Sequence, residues 1–236
     1  LARTKKVKFF RDLTLHSKIA IAATLILIFV GAAFIFAFEY NNPQTMGDYT
    51  LLQKIEVSLF QSVTTRTAGF ATVPQENLTN ASAIVCLLLM FIGGSPVGTA
   101  GGIKTVTFAV IIVAAIASIR NKEDTEVFGR RLTKQAVSKA VAVTCMSFII
   151  MFASTVLLSA VTDANALDIV YETVSATATV GLTRNLTVSL DSIGKLIIIT
   201  TMYLGRVGPI SLAVAFKRNK DNQNIVRNPM EEISVG

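Results

Sequence analysis

The sequence is poor in the side chains that carry most enzyme chemistry. It has one histidine (His16), two cysteines and no tryptophan in 236 residues. A zinc site or histidine-based proton transfer therefore has almost no material. Cys86 and Cys145 both fall inside apolar segments and read as small packing residues, not as a disulfide or metal framework. No nucleophile motif, cofactor loop or His/Cys/Asp cluster offsets these shortages, so neither an enzyme nor a resident cofactor is expected. Charge is scarce too: 16% of residues are charged and 52% are hydrophobic, where soluble domains carry about 25% charged residues. The net charge of +7 would suit nucleic acid only if it formed a basic face on a soluble module. Here the basic residues sit in short segments beside apolar runs, so nucleic acid is not an expected partner and membrane lipid is.

What the chain does have is apolar runs near the roughly 20 residues that a helix needs to cross a hydrocarbon core. The pattern predicts an all-α membrane fold divided as follows. Residues 1–17 are a basic segment, 18–119 a first unit, 120–139 a charged link, 140–216 a second unit and 217–236 a polar tail. Most Lys and Arg lie in 1–18, 120–139 and 217–227. The positive-inside rule then makes the amino end, the link and the tail cytoplasmic in a multi-pass protein of the cell membrane. The opening at Leu1, with a long apolar span close behind, reads as a start partway through a longer protein.

The two units repeat each other. One constant offset superposes Thr65 on Thr177, Thr67 on Thr179, Gly69 on Gly181 and Gly93 on Gly205. Each unit reads as span, short amphipathic helix (51–63 and 169–176), Thr/Gly loop, and a final span broken by glycine. Thr179-Val180-Gly181-Leu182 is nearly the tetrapeptide whose backbone carbonyls replace the hydration shell of K⁺ in channel filters. The candidate ion-binding residues are Thr65, Thr67, Ala68, Gly69 and Phe70 from one loop, and Thr177, Thr179, Val180, Gly181 and Leu182 from the other. Both loops would dip in from outside, each at the partially negative carbonyl end of its helix, with the threonines free to add hydroxyls. The competing reading is that Thr and Gly merely allow close helix packing; two loops in register favour a filter.

The run Gly93-Gly94-Ser95-Pro96-Val97-Gly98-Thr99-Ala100-Gly101-Gly102 cannot be an undisturbed helix. It superficially suggests a phosphate-binding loop, but Ile103 stands where the glycine before Lys104 must be, and no strand precedes it. Two half-helices joined by a loop within the membrane are expected instead. A similar interruption is expected at Gly205-Arg206-Val207-Gly208-Pro209. Arg206, a charge inside an apolar span, would cost about 2.5–3.5 kcal/mol on lenient insertion scales, so a functional role is the default. Arg66, Lys104 and Glu172 read as structural supports, and Lys54, Glu56 and Asp168 as solvated mouth residues.

The segments SVTTRTAGF (62–70), GGSPVGTAGGIKT (93–105), ATATVGLT (176–183) and YLGRVGP (203–209) together resemble the Trk/Ktr/HKT superfamily of potassium transporters, most nearly the membrane subunits of its Ktr branch. The resemblance covers essentially the whole chain. It implies half of a four-repeat, K⁺ channel-like pore, with the third and fourth repeats present here. It further implies K⁺ held at filter carbonyls, and a gate built from Gly93, Gly94, Gly98, Gly101, Gly102 and Arg206. The partners it implies are the missing first half of the same protein, a second full-length copy in a homodimer, and a cytoplasmic nucleotide-binding regulatory ring. Potassium uptake is the expected function. A Na⁺/K⁺ symporter and a membrane scaffold without transport are the alternatives.

Overall fold

A computed structural model describes residues 13–95, 100–122 and 124–208. Gly98, most of the basic amino segment, the end of the final span and the tail lie outside the described residues. Helix α1 spans Leu15–Glu39 and is capped by Thr14, whose hydroxyl accepts from Ser17 N. A loop rich in Asn, Pro and Gly then leads to α2, Leu51–Thr64. Its start is fixed by a capping box: Gln53 N donates to Thr50 Oγ1, and Thr50 N to Gln53 Oε1 at 3.0 Å, so two otherwise orphaned donors are satisfied reciprocally. A short 3₁₀ turn, Gln75–Asn77, precedes α3, Asn80–Phe91. After the glycine-rich segment comes α4, Thr105–Ile119.

The link contains an antiparallel hairpin, β1 Glu126–Val127 and β2 Arg130–Arg131. Its turn residues Phe128 and Gly129 both have positive φ, 51° and 70°, as a tight two-residue hairpin turn requires. Then follow α5, Lys134–Val161, α6, Ala166–Thr177, the single turn α7, Leu186–Ser189, and α8, Ser192–Val207. α1 packs against α2, α3 and α4, and α5 against α6 and α8, while α3–α6 and α4–α5 contacts join the two groups.

By length and composition, α1 and α5 could each cross a membrane, and they leave most of their apolar surface uncovered. Ile26, Phe29, Ile149 and Phe152 are all about 60% exposed, a pattern that water would penalise and lipid would not. The buried core instead joins the two units. Ile35, Met46, Val73, Leu78, Cys86 and Met90 from the first pack with Tyr171, Val174, Val180 and Leu182 from the second.

Three boundaries differ from those expected. α8 continues through Gly205 and Arg206 and stops at Val207, with Gly208 at a φ of 81°, so the helix ends within the expected stretch but not at Gly205. α5 begins at Lys134, taking in the last six residues of the charged link, and Thr133 caps it through Ala136 N. α6 takes in Asp168, which was expected in a loop.

Candidate functional site

Both Thr/Gly loops leave the carboxyl end of a short helix, α2 or α6, and both adopt the same unusual backbone. In the first, Thr67 and Gly69 have φ of 69° and 79°; in the second, Thr179 and Gly181 have 54° and 94°. These four residues correspond under the repeat offset, and left-handed φ is uncommon for threonine. Alternation of left-handed with ordinary residues turns successive peptide planes so that carbonyls can face one side, unlike a strand, where they alternate.

Each loop is tied to its own helix. Thr64 Oγ1 accepts from Phe70 N (2.8 Å) and donates to Phe70 O (2.7 Å), closing the first loop like a clip. In the second, Val180 N donates to Ser175 O (2.9 Å) and Gly181 N to Ser175 Oγ (3.2 Å).

The loops touch. A side chain at Gly69 would overlap the Val180 carbonyl oxygen, and Gly181 Cα lies just beyond. The glycine-rich segment closes on the same place: Gly101 lies against the Thr179 hydroxyl and the Ala178 carbonyl, Gly102 against the Ala178 methyl, and Gly94 near Arg66 O. A methyl on Gly93 would come 3.5 Å from Thr67 Cγ2 while overlapping Gly101 O. Gly205 in α8 sits directly on the Thr177 carbonyl. Glycine is thus demanded here by backbone-to-backbone approach. The flanks of the segment are joined by a parallel bridge between Ile92 and Ile103, with Ile103 N donating to Phe91 O (3.0 Å) and Thr105 N to Gly94 O (3.2 Å).

The structure therefore gathers residues 64–70, 177–182, 93–95, 100–102 and 205 around one point. Arg66 connects several of them. Its guanidinium donates to Thr105 Oγ1 (2.8 Å) and Thr24 O, and Thr105 Oγ1 passes a bond to Gly93 O (2.9 Å). Lys104 donates to Ala100 O and lies within electrostatic reach of Arg206, which occupies the last turn of α8.

Several side chains are not where the sequence reading had them. Thr65 and Thr177 are buried, with their hydroxyls turned back onto Ser62 O (3.0 Å) and Thr173 O (2.8 Å). Lys54 is not a solvated mouth residue: it is 7% exposed, donates to Tyr40 O at 2.6 Å and lies over the Tyr40 ring. The side chain is buried while its ammonium finds a carbonyl. Asp168 is held by Arg184 Nε at 2.7 Å. Phe70 is 70% exposed, whereas Leu182, its repeat counterpart, is 2% exposed.

Behind the loops lies a set of buried polar residues of which sequence reasoning picked out only Glu172, as a structural support. Glu39, fully buried, accepts from Asn42 Nδ2, Thr45 Oγ1, Thr79 N and Thr79 Oγ1 at 2.6–2.8 Å. Glu172 accepts from Thr183 Oγ1 (2.6 Å) and Thr187 Oγ1 beside a cavity of about 380 Å³ that also meets Gly181 and Lys195. Gln61, Gln75 and Tyr171 form a third cluster. Polar residues on helices otherwise apolar were the available signal, but composition does not say which of them meet.

Comparison with known proteins settles the family. The TrkH model, described as a cation transport protein, matches residues 3–227. The chain belongs to the TrkH family of cation transport proteins. Among TrkH-family relatives, the Ktr system potassium uptake protein B of Bacillus subtilis is 39% identical over 98% of this chain and 52% of its own length. The protein of the same description from Vibrio alginolyticus is 35% identical, over 97% and 50%. The potassium/sodium uptake protein NtpJ of Enterococcus hirae is 33% identical, over 96% and 51%. The crystal structure of the potassium transporter TrkH from Vibrio parahaemolyticus has the same fold, with a TM-score of 0.71 and 16% identity over 84% of this chain and 44% of that one. The chain spans about half the length of the relatives it matches. TrkH-family membership makes it a membrane protein of a transport family and not of an enzyme family.

Proposed function

We propose that this chain is the second half of a potassium-uptake subunit and supplies two of four loops to a channel-like filter. The observation that carries this reading is the matched left-handed backbone of Thr67/Gly69 and Thr179/Gly181 in two loops that touch at Gly69 and Val180. Carbonyls at residues 65, 67–70, 177 and 179–182 would replace water around K⁺. α2 and α6 aim their carboxyl ends, each with partial negative charge, at the same place.

Residues 93–95 and 100–102, packed directly against both loops, form the flanks of the gate; Arg206 lies nearby and tunes the path by repelling cations. The remaining two loops come from the missing half of the full-length protein. A second full-length copy, a cytoplasmic nucleotide-binding ring and surrounding lipid complete the assembly, with the amino end, link and tail in the cytoplasm. A second reading, coupled K⁺/Na⁺ transport, is favoured by one observation: a relative at 33% identity is named a potassium/sodium uptake protein.

The test is growth and Rb⁺ uptake by a potassium-uptake-deficient cell expressing the full-length protein, at low K⁺ with and without Na⁺. Restored uptake that needs no Na⁺ supports the channel-like reading. Uptake strictly dependent on Na⁺ supports the symporter, and no uptake at normal membrane abundance overturns both.

A further inference from the structure

Gln75 is the centre of a buried polar junction between the two units. It lies in the 3₁₀ turn after the first loop and is 3% exposed. Its Oε1 accepts from Gln61 Nε2 (2.6 Å) and from the Tyr171 hydroxyl (3.0 Å). Its Nε2 donates to Val73 O (2.8 Å) and Gln61 Oε1 (3.3 Å). The amide therefore uses two donors and two acceptor positions, leaving none idle. Gln61 and Tyr171 are both fully buried, and Gln61 Nε2 also reaches Cys86 Sγ at 3.8 Å.

A second grip lies alongside. Arg184, just past the second loop, holds Asp168 through Nε, while its NH1 donates to Gln75 O (2.9 Å) and Leu78 O (3.4 Å) and its NH2 to Glu76 O (3.1 Å). One planar fork thus binds three carbonyls of the other unit and one carboxylate of its own, which an ammonium cannot do. The Arg184 side chain is only 9% exposed and its bonds to Asp168, Gln75 and Leu78 are part-buried, so salt screens them less than surface pairs.

Neither grip recurs at the repeat offset. The positions equivalent to Tyr171, Gln75 and Arg184 are Leu59, Thr187 and Thr72. The feature belongs to this one junction and is not a requirement of the repeated fold.

We infer that Tyr171, Gln75 and Arg184 are positioning residues that fix the gap between the two Thr/Gly loops and thereby set which monovalent cation the pore prefers. The inference rests on the filter reading above. The physical link is short: Tyr171 stands on the helix that delivers the second loop, Gln75 follows the first, and the loops meet at Gly69 and Val180. Carbonyl cages discriminate ions through their size and the number of oxygens presented. A junction saturated with hydrogen bonds resists the widening that would admit a differently hydrated ion.

The experiment uses the full-length protein in uptake-deficient cells, with Tyr171→Phe, Arg184→Gln and Arg184→Lys compared at matched membrane abundance. Km and Vmax for K⁺ and the inhibition by Na⁺ are measured. Tyr171→Phe removes one hydroxyl at nearly constant volume, so it remains informative if an arginine variant is not made in quantity. The expected result is a several-fold rise in Km for K⁺ and a weakened preference over Na⁺, with Vmax largely kept. Arg184→Lys should behave like Arg184→Gln. Wild-type Km and ion preference in Tyr171→Phe and Arg184→Gln, or full rescue by lysine, would overturn the junction's role. Absence of K⁺ flux in the wild type would instead overturn the transport reading on which it stands.

Discussion

The two Thr/Gly loops share a backbone and differ in their surroundings. Val180 and Leu182 of the second are buried among Val73, Leu78 and Met90, residues of the first unit. At the corresponding places the first loop has an exposed Ala68 and a Phe70 that is 70% exposed. The second loop is also braced by a carboxylate, Glu172, through two threonine hydroxyls; the equivalent position in the first unit is Phe60. Matching left-handed turns with unequal cover indicate that local sequence sets the turn, while the neighbouring unit sets the packing behind it.

The sharpest way to break the likeness between the loops is a methyl group on each of the matched turns. Gly69→Ala meets both an unfavourable φ of 79° and the Val180 carbonyl. It should cost about 1–2 kcal/mol of backbone strain plus about 1–3 kcal/mol of overpacking and nearly abolish K⁺ uptake. Gly181→Ala, with φ of 94° but nothing within 4 Å, should incur only the strain, about 1–2 kcal/mol, and leave measurable uptake. Equal damage from the two substitutions, read by Rb⁺ flux at matched abundance, would mean that contact between the loops matters little.

Support behind the loops should separate them next. Glu39→Ala leaves buried donors from Asn42, Thr45 and Thr79 without their acceptor. A thermal melt of the purified full-length protein should show a loss of roughly 3 kcal/mol or more. Glu172→Gln keeps one acceptor oxygen for Thr183 or Thr187 and should cost about 1 kcal/mol, with its effect on transport confined to Km. Last is Arg206→Gln, which should raise flux, since removing a positive charge near the path lowers repulsion of cations. Unchanged flux in that variant would remove Arg206 from the permeation path.

The sequence made the repeat readable because its marks are backbone requirements. Gly69, Gly101 and Gly205 each meet another chain segment where no side chain fits, and a requirement of that kind survives in the primary structure as glycine. The glycine-rich break between α3 and α4 was legible for the same reason. Other features were not. Gly205 looked like a helix breaker, yet it is a helical residue whose missing side chain admits the Thr177 carbonyl; composition cannot distinguish these two uses of one residue. Lys54 read as solvated because its charge was weighed and its neighbour Tyr40 was not. The Gln61–Gln75–Tyr171 cluster depends on contacts between residues far apart in sequence, and each member alone is an ordinary polar residue.

The bridge between Ile92 and Ile103 has a mechanical consequence. It stitches the end of α3 to the approach of α4, and both isoleucines are 1% exposed. The two helices are thereby tied into one girder at their facing ends. The end of α3 cannot swing away from the approach to α4 without breaking this tie, so a displacement of one must carry the other with it.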